Sequence, residues 1–89
     1  MAATLEIKRK VLVERIGEEN INGLLDCLSE KKIINDDEFE SITHEHKLRR
    51  EKIRTLVDMI IRKGDTASRS FLTALQDLDP ALCQDLNIN

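Results

Sequence analysis

Residues 21–42 read INGLLDCLSEKKIINDDEFESI, and this stretch decides the fold. Ile21, Leu24, Leu25 and Leu28 fall at i, i+3, i+4 and i+7, so one stripe of a helix carries four apolar side chains. Ile33 and Ile34 are followed by Asn35, with Glu38 three residues beyond it. An Asn accepting from the backbone of the first turn, with a Glu reaching back, is an asparagine form of the capping box. The spacing predicts a short helix that buries Phe39 and Ile42. Asp36, Asp37, Glu38 and Glu40 crowd its start, where the positive end of the helix dipole favours acids. Nothing beside them is placed to make four carboxylates catalytic.

The same period recurs further along, at Ile53, Leu56, Val57, Ile60 and Ile61. Upstream, a helix is expected from about Thr4, with Leu5, Leu12 and Ile16 inward. Ile7, Val11 and Val13 widen its apolar face and predict a bend or a broad burial. Gly17 is read as closing that helix and Asn20 as capping the next. Gly64, after Arg62 and Lys63, stops the helix that carries the second stripe. Asp65 or Thr66 then opens a fifth helix through Phe71, Leu72, Leu75 and Leu78. Asp79-Pro80 is a cap followed by proline at the first helical position, so a sixth helix carries Leu82 and Leu86. Residues 1–89 are thus read as one all-α, six-helix bundle, with no linker, repeat or second domain.

Composition agrees with that reading. Apolar residues are 40% of the 89-residue chain and charged ones 35%, with one Pro and three Gly, which leaves little turn chemistry for a sheet. The longest apolar runs are three residues, such as Met59 to Ile61, too short for a signal-peptide core or a bilayer span. Ala2 stands where N-myristoylation would need glycine. Cys27 and Cys83 form no CxxC pair, which favours reduced thiols and a cytoplasmic location over a disulfide.

The net charge of −3 hides alternating blocks. Residues 4–17 sum to +2, residues 18–42 to −6, residues 43–64 to +4 and residues 65–89 to −3. Asp26 and Glu30 are i, i+4 on the second helix, and Arg50 and Arg54 are i, i+4 on the fourth. A domain with an acidic and a basic patch can dock head to tail on a copy of itself, making a filament when the rotation does not close. The plainer alternative is a set of solvated helix faces, with Arg54 pairing with Asp58 four residues on.

Ile21-Asn-Gly-Leu-Leu-Asp26, Ile34-Asn35 with its acidic turn, Leu56-Val-Asp58 and Lys63-Gly64 resemble a caspase recruitment domain. The resemblance covers roughly residues 5–88, and the subgroup it is most similar to is that of the inflammatory caspases and their short decoy relatives. It implies a Greek-key bundle of the death-fold superfamily with a bent first helix. It also implies a non-catalytic module that binds like domains and recruits a protease zymogen for activation by proximity. In the family's principal contact, bases on the first and fourth helices meet acids on the second and third. By position, the basic side here is Arg9, Lys10 and Arg54, and the acidic side is Asp26, Asp36, Asp37, Glu38 and Glu40. The partner is then another such domain, as caspase, adaptor, sensor or second copy, and the chain itself an assembler or a decoy.

Other chemistry fits less well. His44 and His46 are two apart and lack the paired spacing of a structural zinc site, so no metal or cofactor is expected. Cys27 beside its leucine stripe reads as a small semi-buried apolar residue. Anionic lipid is the second choice of ligand, through Lys8 to Lys10 and the basic 43–64 block. Nucleic acid is disfavoured, because the bases of the fourth helix share it with a full apolar face.

Overall fold

The computed structural model describes residues 2–45 and 48–88. Six α-helices follow one another: α1 (Ala2–Arg15), α2 (Glu18–Glu30), α3 (Asp36–Glu40), α4 (Arg49–Lys63), α5 (Asp65–Leu78) and α6 (Pro80–Asp85). One π-helical turn, Ser41–Glu45, continues α3. The described residues include no strand. α1 packs on α4 and α2 on α5, so partners reach across intervening helices in the crossed order of a Greek key. α5 touches α1, α2, α4 and α6, which makes it the central column.

Both apolar stripes face inward. Ile21, Leu24, Leu25 and Leu28 of α2, and Ile53, Leu56, Val57 and Ile60 of α4, are each at most 1% exposed. Phe71, Leu72 and Leu75 of α5 join them, together with Leu82 and, just past α6, Leu86. Ser68 is the one polar side chain buried among the described residues, and its hydroxyl donates to the Gly64 carbonyl at 2.8 Å.

The predicted ends hold in three places. Asn35 accepts from the Glu38 backbone at 2.8 Å while Glu38 accepts from the Asn35 N–H at 2.9 Å, closing the capping box. The Asp79 side chain accepts from the Leu82 N–H, with Pro80 at the start of α6. Gly64, at φ 102°, ends α4 and is at once the residue before α5. That left-handed φ is open to glycine and strained for other residues.

Other expectations are corrected. Asn20 does not cap α2, because the helix begins at Glu18 with Gly17 as its N-cap. The Gly17 carbonyl accepts from the Asn20 and Ile21 N–H groups, and Glu18 and Glu19 occupy the first turn. This start puts two acids at the positive end of the dipole, and it leaves the Asn20 amide to donate to Asp79 at 3.4 Å. Gly17 does not close α1 either: its φ of −76° is ordinary, and Arg49 of α4 caps α1 from outside. Arg49 Nη1 donates to the Val13 and Ile16 carbonyls at 2.7 and 2.8 Å. α1 runs continuously from Ala2 to Arg15, and much of its spread apolar face is buried. Leu5, Leu12, Val13 and Ile16 are buried and Val11 is half-buried, but Ile7 is 76% exposed. Ile42 is fully buried, yet it sits on the π turn, and Phe39 of α3 is half-buried against the core. Leu78 is 40% exposed and lies over Gly23, where an added Cβ would come 3.0 Å from both of its methyl carbons.

Candidate functional site

The antiparallel packing of α1 and α4 gathers bases from the two separate basic blocks, residues 4–17 and 43–64. Arg9, Lys10, Val13, Glu14, Arg50 and Arg54 line one recess of about 230 Å³. All three bases expected from the sequence are there. Arg50 is a fourth, missing from that set although its i, i+4 spacing to Arg54 was visible. Glu14 is the one acid on the lining.

The bases are not equivalent. Arg9 makes a two-point contact with Asp58, Nε to Oδ1 at 2.6 Å and Nη2 to Oδ2 at 3.0 Å. That hydrogen bond raises the Arg9 pKa above its ordinary value. Asp58 therefore pairs across to α1, which corrects the alternative in which Arg54 holds it four residues away. Among the described residues, Lys10, Arg50 and Arg54 are in no ion pair.

α2 and α3 meet at the acidic side. Asp26, Ser29, Glu30, Asp36, Phe39 and Glu40 line a recess of about 410 Å³. Asp37 lines an adjoining depression with Glu40, Ser41 and His44. Glu38 is drawn elsewhere: besides its role in the capping box it pairs with Lys63 at 3.0 Å, with 24% of its side chain exposed. Burial alone would push its carboxyl up, but the Asn35 N–H and Lys63 together hold it below the usual carboxylate range. Of the five expected acids, Asp26, Asp36 and Glu40 thus share one recess, Asp37 borders it, and Glu38 braces α3 against the end of α4. Glu30, Ser29 and Phe39 were not in the expected set; Glu30 was legible as the i, i+4 neighbour of Asp26.

Both recesses are shallow surface features with charged rims, suited to a protein surface more than to an enclosed small molecule. Among the described residues no three His, Cys, Asp or Glu side chains are grouped to hold a metal ion, and His46 lies outside those residues. Cys27 and Cys83 are free, and burial, helped by the nearby Asp79 charge, pushes the Cys83 thiol up. No described helix is long and apolar enough to cross a membrane.

Comparison with known proteins agrees with this architecture. The chain is 34% identical over 85 residues to horse caspase-1, covering 96% of this chain but 21% of that protein. It is 29% identical to human caspase recruitment domain-containing protein 18, over 96% of this chain and 94% of that one. The solution structure of ICEBERG, an inhibitor of interleukin-1β generation, superimposes with a TM-score of 0.87 at 29% identity, covering 96% of each chain. The chain spans about a fifth of the caspase-1 length. The family model for the caspase recruitment domain matches residues 2–89, and the chain belongs to that family.

Proposed function

We propose that this domain is a non-catalytic docking module whose basic α1/α4 face takes the acidic α2/α3 face of another caspase recruitment domain. The observation that carries the reading is the pair of complementary recesses. One is rimmed by Arg9, Lys10, Arg50 and Arg54, the other by Asp26, Glu30, Asp36 and Glu40. Charges left unpaired on a folded surface are available to a partner, and opposite patches steer encounter and fix register. The relatives set the context: one is a caspase matched over about a fifth of its length, another an inhibitor of interleukin-1β generation. The partner is accordingly a second copy of this chain or the recruitment domain of an inflammatory caspase, whose assembly this chain extends or, as a decoy, blocks.

Charge reversal tests the docking faces. Asp26→Arg alone and Arg54→Asp alone should each abolish self-association with helix content unchanged. In an equimolar mixture the Asp26 of one variant still meets the Arg54 of the other, so dimers should return. Rising salt should weaken the wild type, since screening acts over about 8–10 Å at physiological ionic strength. Sedimentation velocity of each sample at low and high salt reads the result. Association indifferent to both reversals would leave the patches as solvated faces only.

A further inference from the structure

The basic face already holds a carboxylate. Asp58 engages Arg9 fork to fork through both of its oxygens, at 2.6 and 3.0 Å, while Lys10, Arg50 and Arg54 beside it are in no ion pair among the described residues. The pair is not shielded: the Arg9 side chain is 37% exposed and that of Asp58 44%. Ion pairs this open to water hold weakly, so a second carboxylate can reach the same guanidinium and exchange with the first. A guanidinium has five N–H donors, and the Asp58 contacts account for two of them.

We infer that Asp58 is a same-chain competitor for the docking carboxylate, holding Arg9 until an acid from a second domain replaces it, and so setting the concentration at which assembly begins. This rests on the docking reading above and assigns its threshold to one residue. The exchange needs no refolding, because Arg9 and Asp58 lie on helices that pack on each other and contribute Leu5, Leu12, Ile53 and Leu56, all at most 1% exposed, to the core.

The experiment compares self-association of wild type, Asp58→Asn, Arg9→Gln and the double variant by sedimentation equilibrium, with circular dichroism checking helix content. Asp58→Ala replaces the Asn variant if that one unfolds. Asp58→Asn should bind roughly two- to fivefold tighter, the scale of one exposed ion pair, and show a steeper salt dependence. Most of that gain should vanish when Arg9 is already Gln. A weaker Asp58→Asn would mean that Asp58 aligns Arg9 for docking, and would overturn the inference. So would a gain that survives in full without Arg9, which would report general charge only. Association that obeys the Asp26 and Arg54 reversals but ignores Asp58→Asn sinks the competitor alone, while association that ignores the reversals removes the docking face as well.

Discussion

Arg49 offers the sharpest test of how this bundle is held together, because it adjoins Arg50, one of the bases proposed to dock, yet serves the fold. Its Nη1 donates to the carbonyls of Val13 and Ile16 at 2.7 and 2.8 Å, and those carbonyls lie at the end of α1. The last carbonyls of a helix have no partner inside it, and a cation there also meets the negative end of the dipole. Arg49→Met keeps much of the aliphatic stem and removes the donor. Two hydrogen bonds from a charged group are worth about 1.5 kcal/mol each at the low end, and any water that reaches the freed carbonyls returns part of that. The net loss should be about 2–3 kcal/mol once the dipole contribution is included. For a domain of this size that lowers Tm by roughly 8–24 °C. Arg49→Lys keeps the charge without the fork and should lose about half as much. Urea denaturation followed by circular dichroism measures both, with an unchanged slope showing that the compared states are the same. Self-association of the folded Arg49→Met protein should match wild type. A loss below about 0.5 kcal/mol, the range of an ordinary surface change, would refute the capping role.

Leu25→Ala or Leu56→Ala, each at a site 1% exposed, should cost about 2–5 kcal/mol in the same urea assay, enough to leave much of the protein unfolded. Glu38→Gln keeps the capping acceptor and removes the charge facing Lys63, costing about 0.5–1 kcal/mol at neutral pH. Because the folded Glu38 carboxyl sits below its unfolded value of about 4.3, that contribution is present above this pH and lost as pH falls through the folded value. Wild-type and Glu38→Gln stabilities should therefore converge in acid, and a constant gap down to about pH 2 would contradict the assignment. Cys27, half-buried, should be alkylated by iodoacetamide well before Cys83, which is 2% exposed and has a raised pKa; mass spectrometry of the native protein checks the order.

The helices were legible because their signals are local. A stripe such as Ile53 to Ile61, the Asn35–Glu38 box and the Asp79-Pro80 pair each depend on residues a few positions apart. Asn20 misled because Asn and Gly are both acceptable caps, and the start at Gly17 puts Glu18 and Glu19 in the first turn. The π turn at Ser41–Glu45 has no distinct residue pattern, so the ring of Phe39 and the fully buried Ile42 were expected on one helix. The site was legible as charge blocks but not as partnerships. Arg9 and Asp58 are 49 residues apart, and Arg49 reaches carbonyls 33 and 36 residues away; only the packing of α1 on α4 brings them together. Glu38 reads like its neighbours in the acidic run, and Lys63 singles it out through tertiary structure alone.

The contact between Gly23 and Leu78 has a consequence for spacing. A methyl group at position 23 would stand 3.0 Å from the Leu78 methyl carbons, so the missing side chain lets the end of α5 close onto the middle of α2. Leu78 is 40% exposed, so its side chain can swing outward, at about 0.5–1.5 kcal/mol for a displaced rotamer. Alanine in mid-helix returns about 0.8–1.0 kcal/mol of helix propensity over glycine, and the two terms nearly cancel. Gly23→Ala is therefore close to silent in stability, because the Leu78 side chain gives way and α2, with Asp26 and Glu30, stays in place. Gly23 works as a seat: its absent methyl makes room for a side chain that is free to leave, so the acidic rim does not depend on it.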